Sequence, residues 1–412
     1  MKFGDIFSGF ISNTSKNKLI STFGLMILFV LLFDGIIMYL LPLVITEQGF
    51  SKTLLGIIFA TAAISGAFFD FTIYKIFKTS FFRRLFIVMF AVCFLYLFTV
   101  WNANSFFLFV CAMAMWGFYY DLKNFATLDF VSRYYENKEL SSKFGILQIF
   151  QSIGYLLAPL ITGFLIIESV GWEPFALALV FLSISLFFFI LLLIEVRNKK
   201  QYIPSNETRR KRSILEDFNI LGKTGKLIFP LLCLACFATI FDSFFMTLGP
   251  IVAENLDLEP FDGLFMVAYY LPLVFIGGFI GNITNKFGEK KTALFGLLIG
   301  ALILSTLFFF ENPIFIILIV FISSCFTCMK TPVIQSIYAH CIHEAPKSKK
   351  EVQELGDFFS NCGYIVGPVI AGLIADNFGA LETFSFLGCI GIVFAIILFI
   401  FIPEKTSLKK NK

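Results

Sequence analysis

Residues 33–44 read FDGIIMYLLPLV, and residues 241–252 read FDSFFMTLGPIV. The two stretches agree at six of twelve positions, and each places an aspartate, Asp34 or Asp242, inside a long apolar run. The same carboxylate-bearing segment therefore occurs twice, with the two aspartates 208 residues apart. An internal repeat of this length predicts that the chain is built from two homologous halves.

A second pair of stretches repeats at nearly the same distance. Residues 154–165 read GYLLAPLITGFL and residues 363–374 read GYIVGPVIAGLI, an offset of 209 residues. In many secondary transporters the substrate site lies where such repeats meet. The two aspartates are therefore the first candidates for a functional site.

The composition is that of a membrane protein. Hydrophobic residues make up 58% of the 412 residues and charged residues only 15%, which is more apolar than an ordinary globular domain. Lipid permits only helices and closed barrels, and the apolar runs are too long and uniform for barrel strands. Since a spanning helix needs about 20 apolar residues, we predict an all-α membrane protein with twelve transmembrane helices, at residues 19–45, 53–74, 85–101, 106–131, 144–167, 175–196, 227–253, 261–285, 292–310, 314–339, 354–376 and 382–402.

The basic residues predict the orientation of these helices. With a cytoplasmic N-terminus, 29 of the 32 basic residues fall in cytoplasmic segments and only Lys52 falls outside. The positive-inside rule then predicts that both termini are cytoplasmic, in a bacterial-type plasma membrane. The net charge of +4 is a consequence of topology, so it gives no reason to expect nucleic acid as a partner.

The polar, strongly basic segment 197–226 predicts a domain boundary. We expect an N-terminal six-helix bundle at 1–196, a cytoplasmic linker at 197–226 and a C-terminal six-helix bundle at 227–412. The linker contains a pattern typical of a short amphipathic helix, which would lie on the inner leaflet and attract anionic lipid.

Two lysines remain inside predicted spans. Lys123 lies in span 4 and Lys330 in span 10, 207 residues apart, so the lysines repeat almost as the aspartates do. An ionisable group at the bilayer centre costs from about 3 to more than about 10 kcal/mol, so four of them need an explanation. We favour a functional reading in which Asp34 and Asp242 take up and release protons. The alternative is two buried ion pairs that only hold the bundles together.

Further polar residues share helix faces with the lysines. Because helical neighbours recur every three or four residues, we predict polar stripes that line a substrate cavity: Tyr120, Asn124 and Thr127 with Lys123, and Thr327, Thr331 and Gln335 with Lys330.

The predicted depths of the charges disfavour direct ion pairs. The aspartates fall about two residues outward of their span centres and the lysines about four inward, a separation of about 9 Å at helical rise. A solute between these layers would meet lysines suited to a carboxylate or phosphate, and Met38 and Met246 suited to an apolar body.

Other chemistry finds little support in the sequence. We predict no cofactor and no metal site, because the C-x-x-C pairs lie on apolar helix faces where cysteines are usually packing residues. Asp129, four residues before Arg133, is expected to form a helix-end ion pair with it. A Ser/His/Asp set and a long catalytic loop are both missing, so we do not expect an enzyme.

The stretch 281–291, GNITNKFGEKK, resembles the signature loop of the major facilitator superfamily. Gly281, Lys286 and Gly288 keep the family pattern, and Asn285 stands at its acidic position. The equivalent loop after span 2 is more degenerate, with the basic position kept as Lys75, Tyr74 in place of an aspartate, and Asp70 one turn earlier. The resemblance implies that these residues control gating.

The stretch around Pro159 and Gly163 is similar to the glycine/proline pattern of span 5 in antiporters of that family, with Ala158 in place of one glycine. Pro368 and Gly372 keep the pattern in span 11. We expect Asp357, near the inner end of that span, to face the loop after span 2. The resemblance implies two six-helix bundles that rock about a central cavity lined by spans 1, 4, 7 and 10. Those spans hold the four charged residues.

Together these observations predict a proton-coupled secondary transporter of a small organic solute, with export by antiport preferred. Uptake of an organic anion by symport is the near alternative. A membrane enzyme or a lipid-moving protein on the same fold is the alternative from another class. The expected partners are the solute, protons and membrane lipid, and the chain is expected to be a monomer.

Overall fold

The computed structural model describes residues 18–76, 82–136, 139–166, 169–197, 214–344 and 349–401, without the side chains at 70–76, 141, 214–227, 277–278, 339–344 and 349–351. The described residues form α-helices joined by short connections, plus one 3₁₀ turn at Thr306–Phe309. The helices are α1 Lys18–Glu47, α2 Lys52–Ile76, α3 Phe82–Asn102, α4 Phe106–Tyr134, α5 Leu140–Gly163, α6 Glu173–Glu195, α7 Ile214–Glu254, α8 Leu264–Phe287, α9 Glu289–Ser305, α10 Pro313–Thr327, α11 Lys330–Glu344, α12 Lys349–Phe378 and α13 Ala380–Phe401.

The described helices agree with the predicted spans. Eleven are long and apolar enough to cross a membrane, and α8 becomes a twelfth if its two halves, which meet at 71°, are counted as one span. A pair of glycines at 277–278 lies at this bend, a common place for a helix to bend. The prediction of an all-α membrane protein is confirmed.

Packing divides the chain into two compact units. The first comprises Met1–Val44, Phe68–Glu207 and Glu259–Phe261, and the second comprises Ile45–Ala67, Thr208–Leu258 and Asp262–Lys412. The predicted division into bundles at 1–196 and 227–412 stays a prediction, since most of the linker lies outside the described residues.

The repeated glycine stretches are packing sites within each unit. In the first unit a side chain at Gly154 would meet Leu31 of α1, with its Cβ 2.9 Å from that of Leu31. In the second unit Gly363 of α12 packs against the Cys236 carbonyl and the Thr239 hydroxyl of α7. Small residues let two membrane helices approach closely, so this repeat has a structural reason.

The predicted span 10 is interrupted in the middle. Helix α10 ends at Thr327 and α11 begins at Lys330. Pro332 explains the interruption, because it has no amide hydrogen to donate to the Cys328 carbonyl and its ring crowds that carbonyl. The connecting turn is tighter than an α-helix, with the Met329 amide donating to the Phe326 carbonyl. Lys330 therefore occupies the first turn of a new helix.

Candidate functional site

Asp34 lies in the core of the first unit and is only 1% exposed. The Trp116 indole donates to its Oδ1 at 2.8 Å, and the Tyr119 hydroxyl donates to the same oxygen. The Tyr155 hydroxyl lies 3.5 Å from Oδ2. A buried carboxylate is stable only when its oxygens are hydrogen-bonded. Here neutral donors from α4 and α5 meet that need.

Lys123 is near this site but is not paired with the carboxylate. Its ammonium lies over the Tyr120 ring, 3.8 Å from the ring centre, and Tyr120 stacks on Trp116 with centroids 5.2 Å apart. The Lys123 charge acts on Asp34 through space, but no ion pair joins them among the described residues. Lys123 is only 3% exposed, so a cation–π contact holds a buried charge.

Asp242 occupies the repeat-related place in the second unit, in a different environment. Lys330 Nζ lies 3.3 Å from its Oδ1, and the Tyr269 hydroxyl donates to the same oxygen. Tyr269 is held in place by stacking on Phe245, with centroids 3.8 Å apart. The Asp242 side chain is 29% exposed and that of Lys330 is 3% exposed.

The expectation that depth prevents direct pairing is wrong in the second unit. Lys330 lies in the first turn of α11, directly after the break at Cys328 and Met329. Its long side chain then reaches Asp242, with the ammonium also 4.6 Å from the centre of the Phe241 ring. In the first unit, the described residues include no such pair.

The other predicted cavity residues differ in accessibility. Met38, Met246 and Tyr120 are half-buried, Thr127 and Thr327 are buried, and Asn124, Thr331 and Gln335 are exposed. The Tyr96 hydroxyl contacts the Met38 sulfur at 4.0 Å. The methyl group of Thr327 packs on Gly300 of α9, so this residue serves helix contact within its unit. A role of these residues in binding solute stays a prediction.

The predicted gating loop after α8 is an exposed turn. Gly281, Asn285 and Lys286 are exposed in the last turns of the helix. Gly288 has a φ of 83° and its amide donates to the Thr284 carbonyl at 2.8 Å. Only glycine adopts this backbone at little cost, which explains that family position. The side chains of Asp70 and Lys75 lie outside the described residues.

The α12 part of the repeat makes close contact with α2 inside the second unit. Gly372 lies against the Lys52 carbonyl, and Gly56 of α2 lies against the Pro368 carbonyl. Pro159 lies inside α5, which Gly163 ends. Asp357 is exposed, and its predicted partner, the loop after α2, falls outside the described residues.

Asp376 of α12 forms hydrogen bonds with the first residues of α2. Its carboxylate accepts from the Lys52 amide at 2.9 Å and from the Thr53 amide at 2.8 Å, and the Thr53 hydroxyl donates to it at 2.6 Å. An anion at the free amides of a helix N-terminus is stabilising. No sequence motif indicated this cap.

Asp129 serves the first unit in a similar way. It forms the predicted ion pair with Arg133, at 2.7 Å, and this prediction is confirmed. Its Oδ2 also accepts from the Phe82 amide at 2.8 Å, at the start of α3. The carboxylate therefore joins the end of α4 to the beginning of α3.

Sequence reasoning missed the aromatic donors around the aspartates. Trp116 and Tyr119 precede Lys123 by seven and four residues, a helical spacing that places them beside it. Tyr155 is repeated as Tyr364 in the glycine stretches. These signals were available, but aromatic residues are so frequent in this chain that none stood out.

Comparisons with known proteins agree on one fold. A family model described as Major Facilitator Superfamily matches residues 23–353 and, in a second match, residues 231–412. The chain is similar to the nucleoside transporter NupG, with 12% identity over 93% of this chain and 98% of that one and a TM-score of 0.75.

Two further solved structures are similar over nearly the whole chain. One is a bacterial homolog of the human lysosomal transporter Spinster (15% identity, 95% and 98% coverage, TM-score 0.74). The other is a POT family transporter in complex with 5-aminolevulinic acid (16% identity, 93% and 96% coverage, TM-score 0.67). At such identities the likeness establishes the fold alone, and it confirms the predicted fold class.

Proposed function

Because the chain belongs to the major facilitator superfamily, as the resemblance of its signature loop predicted, we propose that it is a proton-coupled secondary active transporter of a small organic solute. It would expose its solute site to one side of the membrane at a time. The family's solved relatives support transport as the activity, since those named above are all transporters. Proton coupling is our inference from the charged residues of this chain.

The ion pair between Asp242 and Lys330 carries the proposal. The partly exposed carboxylate is accessible to a proton, whereas the ammonium is buried. A proton on Asp242 would cancel the attraction and leave the Lys330 charge buried without its partner, which is unfavourable. Proton binding therefore has to move Lys330 or bring in another anion.

The interruption before Lys330 gives this movement a place to occur. Cys328 and Met329 form a turn between α10 and α11, and residues at the ends of elements can absorb changes of backbone angle. We propose that protonation of Asp242 shifts the first turn of α11. Such a local shift would link proton binding to the change of access.

Asp34 is the second candidate for proton exchange. It is almost fully buried and hydrogen-bonded to Trp116, Tyr119 and Tyr155. Exchange at this carboxylate would require a rearrangement that admits water. We therefore assign the main coupling role to Asp242 and a slower or supporting role to Asp34.

The proposal favours export by antiport in a bacterial-type plasma membrane, on the proline/glycine pattern around Pro159. The second candidate is uptake of an organic anion by symport. The unpaired state of Lys123 among the described residues favours an anionic solute in either direction. The predicted monomeric state and contact with membrane lipid complete the proposal.

Purified protein in proteoliposomes tests proton coupling. The lumen would contain a pH-sensitive dye, and the outside would receive in turn nucleosides and 5-aminolevulinic acid, the solutes named for two of the similar structures. We expect at least one solute to drive proton movement, and Asp242→Asn to abolish it. Glu311→Gln, at an exposed position between α9 and α10, should behave as wild type.

Two outcomes would contradict the proposal. Proton movement that survives in Asp242→Asn and in Asp34→Asn would remove both carboxylates from the coupling. Chemical conversion of a solute without its transport would favour the membrane enzyme. Each variant is first checked for an unchanged elution profile in detergent, so that loss of folding is not read as loss of coupling.

A further inference from the structure

We infer that Lys123 is the anion-binding residue of this transporter, and that the solute carries a carboxylate or phosphate which contacts the Lys123 ammonium. This inference rests on the proposed function and adds a substrate class and a binding group to it. It also separates the two repeat-related lysines, since it assigns no such role to Lys330.

The Lys123 ammonium has unused hydrogen-bonding capacity. A lysine carries three N–H donors; in the part of the chain that the structure describes the Lys123 ammonium lies over the Tyr120 ring and forms no hydrogen bond or ion pair. The Lys123 side chain is buried, since the residue is only 3% exposed. A buried charge is stable when it is paired and hydrogen-bonded, so the Lys123 ammonium is suited to bind an anionic partner.

The nearby carboxylate does not supply that acceptor. Three neutral donors already surround Asp34, namely Trp116, Tyr119 and Tyr155. Phe33, the neighbour of Asp34, is covered by Tyr96 and Tyr119 at centroid distances of 6.4 and 6.5 Å. Among the described residues, the Asp34 carboxylate is therefore hydrogen-bonded by neutral aromatic donors and not by Lys123.

The second unit shows what happens without these aromatic groups. The residues three and seven positions before Lys330 are Thr327 and Ser323, whereas Tyr120 and Trp116 hold the corresponding positions before Lys123. Lys330 contacts the Phe241 ring and pairs with Asp242. While Asp242 is ionised, the Lys330 charge is paired within the protein and is not available to a solute anion.

Tyr120 positions the free ammonium. Its ring lies under Lys123 and is itself fixed by stacking on Trp116. A cation–π contact orients an ammonium without using its hydrogen-bond donors. Tyr120 is half-buried, and Asn124 on the same helix is exposed; the proposal requires the anion to approach along this face. The Asn124 amide is suitably placed in sequence to donate a second hydrogen bond.

Matched pairs of anionic and neutral probes test the inference without knowledge of the natural solute. The probes are benzoate against benzamide, acetate against acetamide, and inorganic phosphate against chloride, at constant ionic strength. Their apparent Kd values come from the rise in thermal unfolding midpoint of the purified full-length protein. We expect at least one anion to bind more tightly than its partner.

The variants then locate the site. Lys123→Met should weaken the anion by at least about tenfold, the loss expected for a hydrogen bond to a charged group, with the neutral probe unaffected. Lys123→Arg and Tyr120→Phe, which keep the charge and the ring, should bind nearly as wild type. Tyr120→Leu should weaken the anion selectively, and Glu311→Gln, at an exposed position, should leave the anion preference unchanged.

The inference is overturned if no anion is preferred by the wild type, or if Lys123→Met retains the preference. It is also overturned if Lys330→Met removes the preference and Lys123→Met does not. Its failure differs from failure of the proposed function. Proton-coupled flux of neutral solutes alone would contradict the anion site but support the proposed transporter. Lys123-dependent anion binding without any flux would support the anion site but contradict the proposed transporter.

Discussion

At the scale of single residues, the two aspartates share a place in the repeat and differ in their partners. Asp34 is bonded to neutral aromatic donors, whereas Asp242 is bonded to a tyrosine and a lysine. The tyrosines that donate to them lie on different helices. Tyr119 is on α4, four residues before Lys123, whereas Tyr269 is on α8. The carboxylates therefore have equivalent positions and distinct chemistry.

The hydrogen bonds to Asp34 predict a stability effect. Replacing Trp116 by Phe leaves a buried carboxylate oxygen with one donor fewer, which should cost about 1.5–3 kcal/mol for a bond to a charged group. We expect a lower thermal unfolding midpoint in detergent. Trp101→Phe, at an exposed position, is the control. Equal midpoints for both variants would show that the indole hydrogen bond is unimportant.

The Asp242–Lys330 pair predicts a measurable coupling energy. A double-mutant cycle with Asp242→Asn and Lys330→Met isolates the interaction from other effects of each change. Because Asp242 is partly exposed, we expect a coupling of about 1 kcal/mol, close to the upper end for solvent-accessible pairs. Unfolding midpoints of the four proteins provide the measurement, and strictly additive changes would contradict an energetically significant pair.

At the scale of helices, each unit solves the same packing problem with small residues at different places. In the first unit Gly35 of α1 faces Ala158 of α5, and in the second Ser243 of α7 faces Gly367 of α12. Ser243 and Gly367 are the repeat counterparts of Gly35 and Ala158. The alanine that interrupts the antiporter-like pattern is therefore compensated by a glycine on the facing helix.

This compensation predicts a rescue. The Cβ that Gly35→Ser introduces would lie 2.5 Å from the Cβ of Ala158. Overpacking of this kind typically costs about 1–3 kcal/mol. Adding Ala158→Gly reproduces the arrangement of the second unit and should recover most of the lost unfolding midpoint. Ala158→Gly alone provides the reference. No recovery in the double variant would contradict the proposed equivalence.

The cap formed by Asp376 predicts a local effect at the start of α2. Asp376→Ala removes the acceptor for the Lys52 and Thr53 amides, and loss of such a cap costs about 0.5–2 kcal/mol. Hydrogen exchange of the amides at residues 52–55 should become faster. Exchange in α6, which lies in the other unit, should not change, and uniform acceleration throughout the chain would indicate general destabilisation instead.

At the scale of the whole molecule, the distribution of basic residues predicts the orientation in the membrane. A fluorescent protein fused to the C-terminus should fold and fluoresce in cells, because such proteins mature in the cytoplasm and the positive-inside rule places both termini there. A periplasmically active phosphatase fused at the same place should remain inactive. The opposite pattern would invert the predicted topology.

The fold class followed from local properties of the sequence. The length and apolar character of each run decide whether it is stable in lipid, so composition alone predicted the helices, and the internal repeat located Asp34, Asp242, Lys123 and Lys330. The family resemblance rested on one loop, in which Gly288 has a backbone conformation that favours glycine.

The tertiary structure alone decided which charge meets which partner. A sequence places Lys123 and Lys330 at the same depth, but partner choice depends on side chains that other helices bring close. Trp116 and Tyr119 donate to Asp34 and Lys123 lies over Tyr120, while Lys330 in the first turn of α11 pairs with Asp242. Hydrophobic burial is read from the local sequence, whereas hydrogen bonds and ion pairs require distances of about 3 Å between remote residues.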